Sequence, residues 1–167
     1  MKSPSLSSPV EEKIAWAEEC YNAFGERFLE DRALRDLLSR LESAVKISRE
    51  AMLNAGILEI CRACEEDEGG SCCGAGLENR YDGWLLLINL LMGVKLPGSR
   101  YDPRSCYFLG RHGCLLQARH VICVNYVCPK ITQAVDPRKM KSLREKEGDE
   151  LAALFLLHER VKKIGKE

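Results

Sequence analysis

The chain has 167 residues, 46% of them hydrophobic and 30% charged, a composition that fits one ordinary folded domain and excludes a disordered or fibrous protein. Its 25 basic and 25 acidic residues balance, so no net field draws it to nucleic acid or to an anionic membrane, and partners must be read from local features. The N-terminus carries no secretory signal pattern, and the most apolar run, Trp84 to Met92, is broken by Asn89 and falls far short of the roughly 20 residues of a membrane span. A cytoplasmic protein without a membrane partner is therefore expected.

Residues 1–8 are rich in Ser and Pro and are expected to be disordered, which leaves residues 9–167 as a single helical domain. Ser8-Pro9-Val10-Glu11 reads as a helix start, with Ser8 as N-cap, Pro9 at the first helical position and Glu11 completing a capping box. Val10, Ile14, Ala17, Tyr21 and Phe24 give this first helix one apolar face, and Cys20 beside it reads as a small buried hydrophobe. A longer second helix is expected from about Arg27 to Ala55, stopping near Gly56. Its seam of Leu34, Leu38, Leu41, Val45, Ser48, Met52 and Ala55 suits another helix of the same chain or, alternatively, a homo-oligomer.

Asp82 is placed to cap a third helix, whose nearly all-apolar run ending at Gly93 marks it as the centre of the core. Leu96-Pro97-Gly98 then forces a turn. Asp136-Pro137 repeats the cap and first-position signature for a last helix, with Met140, Leu143, Leu151, Leu154, Phe155, His158, Val161 and Ile164 near one face and Gly148 as a point of bending or division. Val121 to Val127 is the one stretch with some strand-like alternation. The expected fold is mainly α: a helical scaffold into which a loop-dominated, cysteine-rich metal-binding segment, residues 61–129, is inserted.

That segment holds eight of the nine cysteines: Cys61, Cys64, Cys72, Cys73, Cys106, Cys114, Cys123 and Cys128. In a reducing cytosol such a set points to metal rather than disulfides, and an odd total leaves one thiol over in any disulfide scheme. Cys61 and Cys64 have the C-x2-C spacing at which a tight turn aims two sulfurs at one metal. Cys72 and Cys73 are adjacent, so they serve two centres if the backbone is extended, or one centre if it turns sharply. Eight thiols fit two four-thiolate centres, or one centre and a redox pair. Four thiolates on zinc, or on an oxidised four-iron cluster, leave a charge of about −2. Lys95, Arg100, Arg104, Arg111, Arg119 and Lys130, set against Asp102 alone, can offset it. As a nucleic-acid patch these spread charges are weak.

The downstream block reads C-x2-L-x3-G-C-x4-R-H-x2-C-x2-Y-x-C-P, through Cys106, Leu109, Gly113, Cys114, Arg119, His120, Cys123, Tyr126, Cys128 and Pro129. It resembles the YkgJ-type cysteine-cluster family, described as zinc- or iron-chelating, and Cys61, Cys64, Cys72 and Cys73 fall on that family's upstream element. Two features depart from the family pattern: EEDEGGS separates the upstream pairs, and His120 stands where proline is usual. The resemblance implies metal binding and no particular reaction.

Gly74-Ala75-Gly76 is not a dinucleotide fingerprint, because Asn79 occupies the third glycine position and no strand precedes it. His158-Glu159 lacks the second histidine of a zinc protease, and Cys64 is followed by Glu65, not by the histidine of a haem attachment. The acidic run Glu65 to Glu68 reads as a solvated loop rather than a hard-cation site. His112 and His120 read as neighbours of the ligands, with direct ligation as the alternative. The expectation is a protein that binds a metal ion, zinc or iron including a 4Fe-4S cluster, through the eight thiolates. An iron-sulfur redox protein or enzyme, and a helical interaction module with a structural metal, are its rivals.

Overall fold

The computed structural model describes residues 2–68 and 72–166, apart from the side chains of residues 65–68. The fold is mainly α. Helix α1 spans Val10–Glu30 and begins one step later than the capping pattern suggests. Pro9 occupies the N-cap position without a side-chain bond, because Ser8 closes a turn in which its N–H meets Ser5 O at 3.1 Å. Val10, Ile14, Ala17 and Cys20 of α1 are buried as the periodicity implies, whereas Phe24, expected on that face, is exposed.

The single helix expected from Arg27 is divided: Arg27 belongs to α1, and α2 runs Arg32–Asn54. Asp31 makes the break, since a short carboxylate favours a cap over a helix interior. Its side chain accepts the Leu34 N–H at 2.7 Å and pairs with Arg160, whose Nε lies 3.1 Å from Oδ1. At the other end Gly56, with φ +76, lets the chain leave α2 and start α3, Ile57–Glu68. Glu65 to Glu68 therefore continue a helix in their backbone, and their reading as a solvated acidic loop otherwise lies outside the described side chains, as do Gly69 to Ser71 altogether.

Helix α4, Gly83–Leu91, is the centre of the core, with Leu86, Leu87 and Ile88 fully buried at about 1.5–3 kcal/mol each. Asp82 caps it through the Leu85 N–H at 2.8 Å. It rests against α1 and the last helix, α7, Pro137–Ile164. Gly83 is what permits the α1 contact: a Cβ there would meet the Trp16 ring at 2.5 Å, and Trp16 packs edge-on to Trp84 with centroids 4.8 Å apart. Asn89, the one polar residue inside this helix, is completely buried. Its Nδ2 donates to Leu85 O and Ala118 O, both at 2.9 Å, and its Oδ1 accepts the N–H of Gln117 at 2.9 Å and of Ala118 at 3.0 Å.

The α2 seam is used within the chain. Leu34, Leu38, Leu41, Val45 and Ser48 are buried, and α2 packs along α7, so the face that an oligomer through this helix needs is already covered. Asp136 caps α7 through the N–H groups of Arg138 and Lys139 at 2.8 and 3.2 Å. The helix passes Gly148 undivided, because the α2 contact holds both sides of it, while Phe155 points out of the apolar face and is exposed. His158 is half-buried on Asp82 at 3.1 Å. The rest of the chain forms a two-residue hairpin, β1 Leu109–Gly110 and β2 Gly113–Cys114, and two short helices, α5 Val121–Asn125 and α6 Pro129–Ala134. The strand-like alternation of Val121 to Val127 thus resolves as α5 followed by extended chain. A second small core of Ile57, Ile131, Val135 and Leu143 ties α3 and α6 to α7. Among the described residues no helix is long and apolar enough to cross a membrane.

Two measurements test this account. Asn89→Ala removes the partners of three loop groups at once and should cost about 3 kcal/mol in urea unfolding, at roughly 1 kcal/mol or more per unsatisfied buried group; the Gln117 and Ala118 amides should also exchange faster. Burial raises the Asp82 carboxyl pKa, but the His158 hydrogen bond and charge and the Leu85 N–H outweigh it and leave the group below its ordinary value. Its stabilising effect is therefore present above about pH 4, where the unfolded carboxyl is ionised, and is lost as pH falls through the folded value. Asp82→Asn keeps the cap and removes the titration, so stability measured against pH should flatten at the acid end.

Candidate metal centre

The eight clustered cysteines divide into two neighbourhoods. In the outer one, Cys61 and Cys64 lie one turn apart on α3, which presents both on one face. A helix, rather than the expected loop, therefore sets the C-x2-C pair. Helix α3 packs on α6, whose N-cap is Cys128. Burial, followed by the charges of Cys128 and Cys64, pushes the Cys72 thiol up. Burial and the charges of Cys72, Cys128 and Cys64 do the same to Cys61. Lys130 Nζ stands 3.7 Å from Cys64 Sγ. Cys61 and Cys72 are exposed, and Cys64 and Cys128 are half-buried.

The inner neighbourhood is built by backbone pairing. Cys73 O accepts the Cys106 N–H at 2.6 Å, Gly74 bridges Ser105, and Ala75 N–H meets Arg104 O at 2.9 Å, which lays the Cys-Cys turn alongside the chain entering Cys106. The β1–β2 hairpin then returns Cys114 opposite Leu109, with Gly113 at φ +113 supplying a turn that an L side chain resists. Cys123 comes from α5. The backbone N–H groups of Phe108 and Leu116, each two residues on, act on the Cys106 and Cys114 thiols in the direction of thiolate without offsetting burial, which pushes both up. Tyr81 Oη donates to Cys123 Sγ at 3.5 Å and accepts the His120 N–H at 3.1 Å. Burial, then the charges of Cys114 and Cys123 and, behind them, of Cys72 and Cys61, raise the Cys73 thiol to about 11. Burial, then Glu78, Cys114 and Cys73, raise Cys106 to about 12. Cys73, Cys106 and Cys123 all pack against the main core, whereas Cys128 packs against the second, smaller one.

Among the described residues, no three His, Cys, Asp or Glu side chains already converge as one metal-ready group. Coordination would have to draw the sulfurs of a neighbourhood together. Each raised thiol is a proton that a bound cation would displace, since only the thiolate ligates.

The cations are distributed differently from the expectation of a general basic surround. Arg100 is engaged by Glu78 and stacks on Tyr107 at 5.5 Å, and Arg104 pairs with Asp102 at 3.5 Å. Arg119 reaches Glu150 Oε1 at 3.7 Å; burial pushes the Cys114 thiol up, and the charges of Arg119 and Arg49 oppose that only in part. Arg49 comes from α2, outside the basic stretch, and donates to Leu116 O at 2.7 Å. His120 caps α5, its Nδ1 accepting the Ile122 N–H at 3.2 Å, which leaves the proton of the neutral ring on Nε2. His112 is exposed beyond the hairpin strand.

Glu78, Tyr81 and Arg49 were invisible to sequence reasoning. Glu78 is 2% exposed in the 3-10 turn Leu77–Arg80, accepting the N–H of Gly76 at 2.9 Å and of Tyr107 at 3.4 Å while paired with Arg100. It joins the segments after Cys73 and after Cys106. A single acid in a turn has no periodicity, and only the later Arg100 and Gly-rich turn hint at it. Burial raises the Glu78 pKa, yet the Arg100 bond and the three backbone donors leave it lowered overall.

Glu78→Gln should cost about 1–3 kcal/mol in chemical unfolding, because it removes charge from a buried, charge-assisted network. Exchange of the Gly76 and Tyr107 amides should accelerate with it. No protein-family model, no curated protein and no solved structure matches this chain.

Proposed function

We propose that this chain is a metal-ion-binding protein that holds zinc or iron through the thiolates of Cys61, Cys64, Cys72, Cys73, Cys106, Cys114, Cys123 and Cys128. The observation that carries the reading is the backbone pairing of Cys73 O with the Cys106 N–H at 2.6 Å, together with the hairpin that returns Cys114 opposite Leu109, which gathers thiols far apart in the sequence. Backbone pairing of this kind orients the side chains that would ligate metal. The likeness of Cys106 to Pro129 to the YkgJ-type pattern supports the same conclusion. Bound at these sulfurs, the metal supplies cross-links between segments poor in core residues, and metal affinity is then folding free energy. Reduced thiols are a requirement of such a site, which accords with a cytoplasmic setting.

The test is metal analysis of protein purified without oxygen, together with its absorption spectrum. A colourless protein loaded with zinc is the expected result for a structural or carrier site, and a brown one with a broad visible band turns the reading to an iron-sulfur redox protein. Protein nearly free of both metals overturns the proposal. Stripping the metal with a chelator should lower the melting temperature and expose residues 106–128 to protease before α2 or α7.

A further inference from the structure

The eight thiols are not equivalent in setting. Three independent features separate them. Cys61 and Cys64 lie one turn apart on α3, which packs on α6, where Cys128 is the N-cap and Lys130 reaches Cys64 at 3.7 Å, and Cys72 feels the charges of Cys128 and Cys64. Cys73 is tied through its carbonyl to the Cys106 N–H at 2.6 Å, and the hairpin and α5 add Cys114 and Cys123. Cys73, Cys106 and Cys123 rest on the main core, whereas Cys128 rests on the smaller one.

Resting on the metal-binding reading above, we infer that the protein forms two separate four-thiolate centres: an outer one from Cys61, Cys64, Cys72 and Cys128, and an inner one from Cys73, Cys106, Cys114 and Cys123. The chain crosses from one to the other at the Cys72–Cys73 peptide bond, and it returns to the outer centre only at Cys128. Sequence order would have grouped the first four cysteines together and the last four together, and the fold does not.

The two centres differ in what surrounds the sulfurs. The inner one has the Tyr81 hydroxyl on Cys123 at 3.5 Å, the Cys73–Cys106 backbone pairing, and Arg49 on Leu116 O at 2.7 Å, two residues from Cys114. The outer one has Lys130 at 3.7 Å from Cys64 and two exposed and two half-buried cysteines, against one exposed, two half-buried and one fully buried cysteine in the inner one. A centre seated mostly against the main core exchanges its metal slowly, whereas a more exposed one lets a competing thiol or chelator approach. The outer centre is therefore the exchangeable one, suited to passing a soft divalent cation to and from a thiolate acceptor. The inner centre holds the fold.

Cobalt(II) titration of the reduced full chain tests this, read by the thiolate-to-cobalt charge-transfer band, followed by release to a chromogenic chelator. The wild type should saturate at two equivalents and release them in two phases whose rates differ at least about tenfold, the amount that 1.4 kcal/mol of barrier gives. Cys72→Ser should remove or accelerate only the fast phase, and Cys73→Ser only the slow one. Lys130→Ala should speed the fast phase alone. Saturation at one equivalent, or loss of the same phase in both cysteine variants, overturns the division but leaves metal binding intact; no charge-transfer band at all overturns metal binding itself. Should Cys73→Ser fail to fold, cadmium NMR of the wild type decides: two resonances at four-sulfur shifts are expected, and a single one overturns the inference.

Discussion

The loop from Gln117 to Ala118 is held to the core by one side chain, and the cysteine region depends on it. Asn89 is buried inside the most apolar helix of the protein, and all four of its hydrogen-bonding directions are used, one within α4 and three on the loop. A buried amide is tolerated only when fully satisfied, and a fully satisfied one specifies a single position for the chain that satisfies it. Through it α4 sets where Leu116 and Arg119 lie, and so where Cys114 and Cys123 stand relative to the core.

Charge is handled by local pairing rather than by a surrounding field. The buried carboxylates have named partners: Glu78 has Arg100, Glu150 has Ser48 and Arg119, and Glu147 has Arg144 at 2.6 Å. Cations also stand near sulfur, Lys130 at 3.7 Å from Cys64 and Arg49 with the Glu150-paired Arg119 near Cys114. Breaking such a pair leaves the remaining charge buried alone, which costs more than the pair contributes. The cysteine region is thus coupled to the α2–α7 contact through Arg119, Glu150 and Ser48, although those helices hold none of the eight clustered cysteines.

The helical scaffold was legible because its signals are local. Asp82 and Asp136 announce their helices, Trp84 to Leu91 announces its burial, and Cys20 lies in the core as a small hydrophobe. Errors came where two local signals compete. Asp31 reads equally as an exposed helical residue or as a cap, and Arg160, far away in the sequence, settles it. Ser8 has the right identity for a cap but is engaged by the turn to Ser5. Gly148 is weak alone and harmless under the α2 contact.

By itself the sequence determined that the fold is helical, which helix lies at the centre of its core, and which cysteines are candidates for a metal, since periodicity, caps and thiol spacing are properties of neighbours along the chain. Only the tertiary structure decided which thiols share a neighbourhood. Cys72 and Cys73 are adjacent in the chain yet belong with partners from different elements, and Cys128 lies beside Cys61 and Cys64 because α6 packs on α3. Proximity across many tens of residues comes from burial of apolar surface and from satisfied backbone groups, and the spacing of cysteines encodes neither.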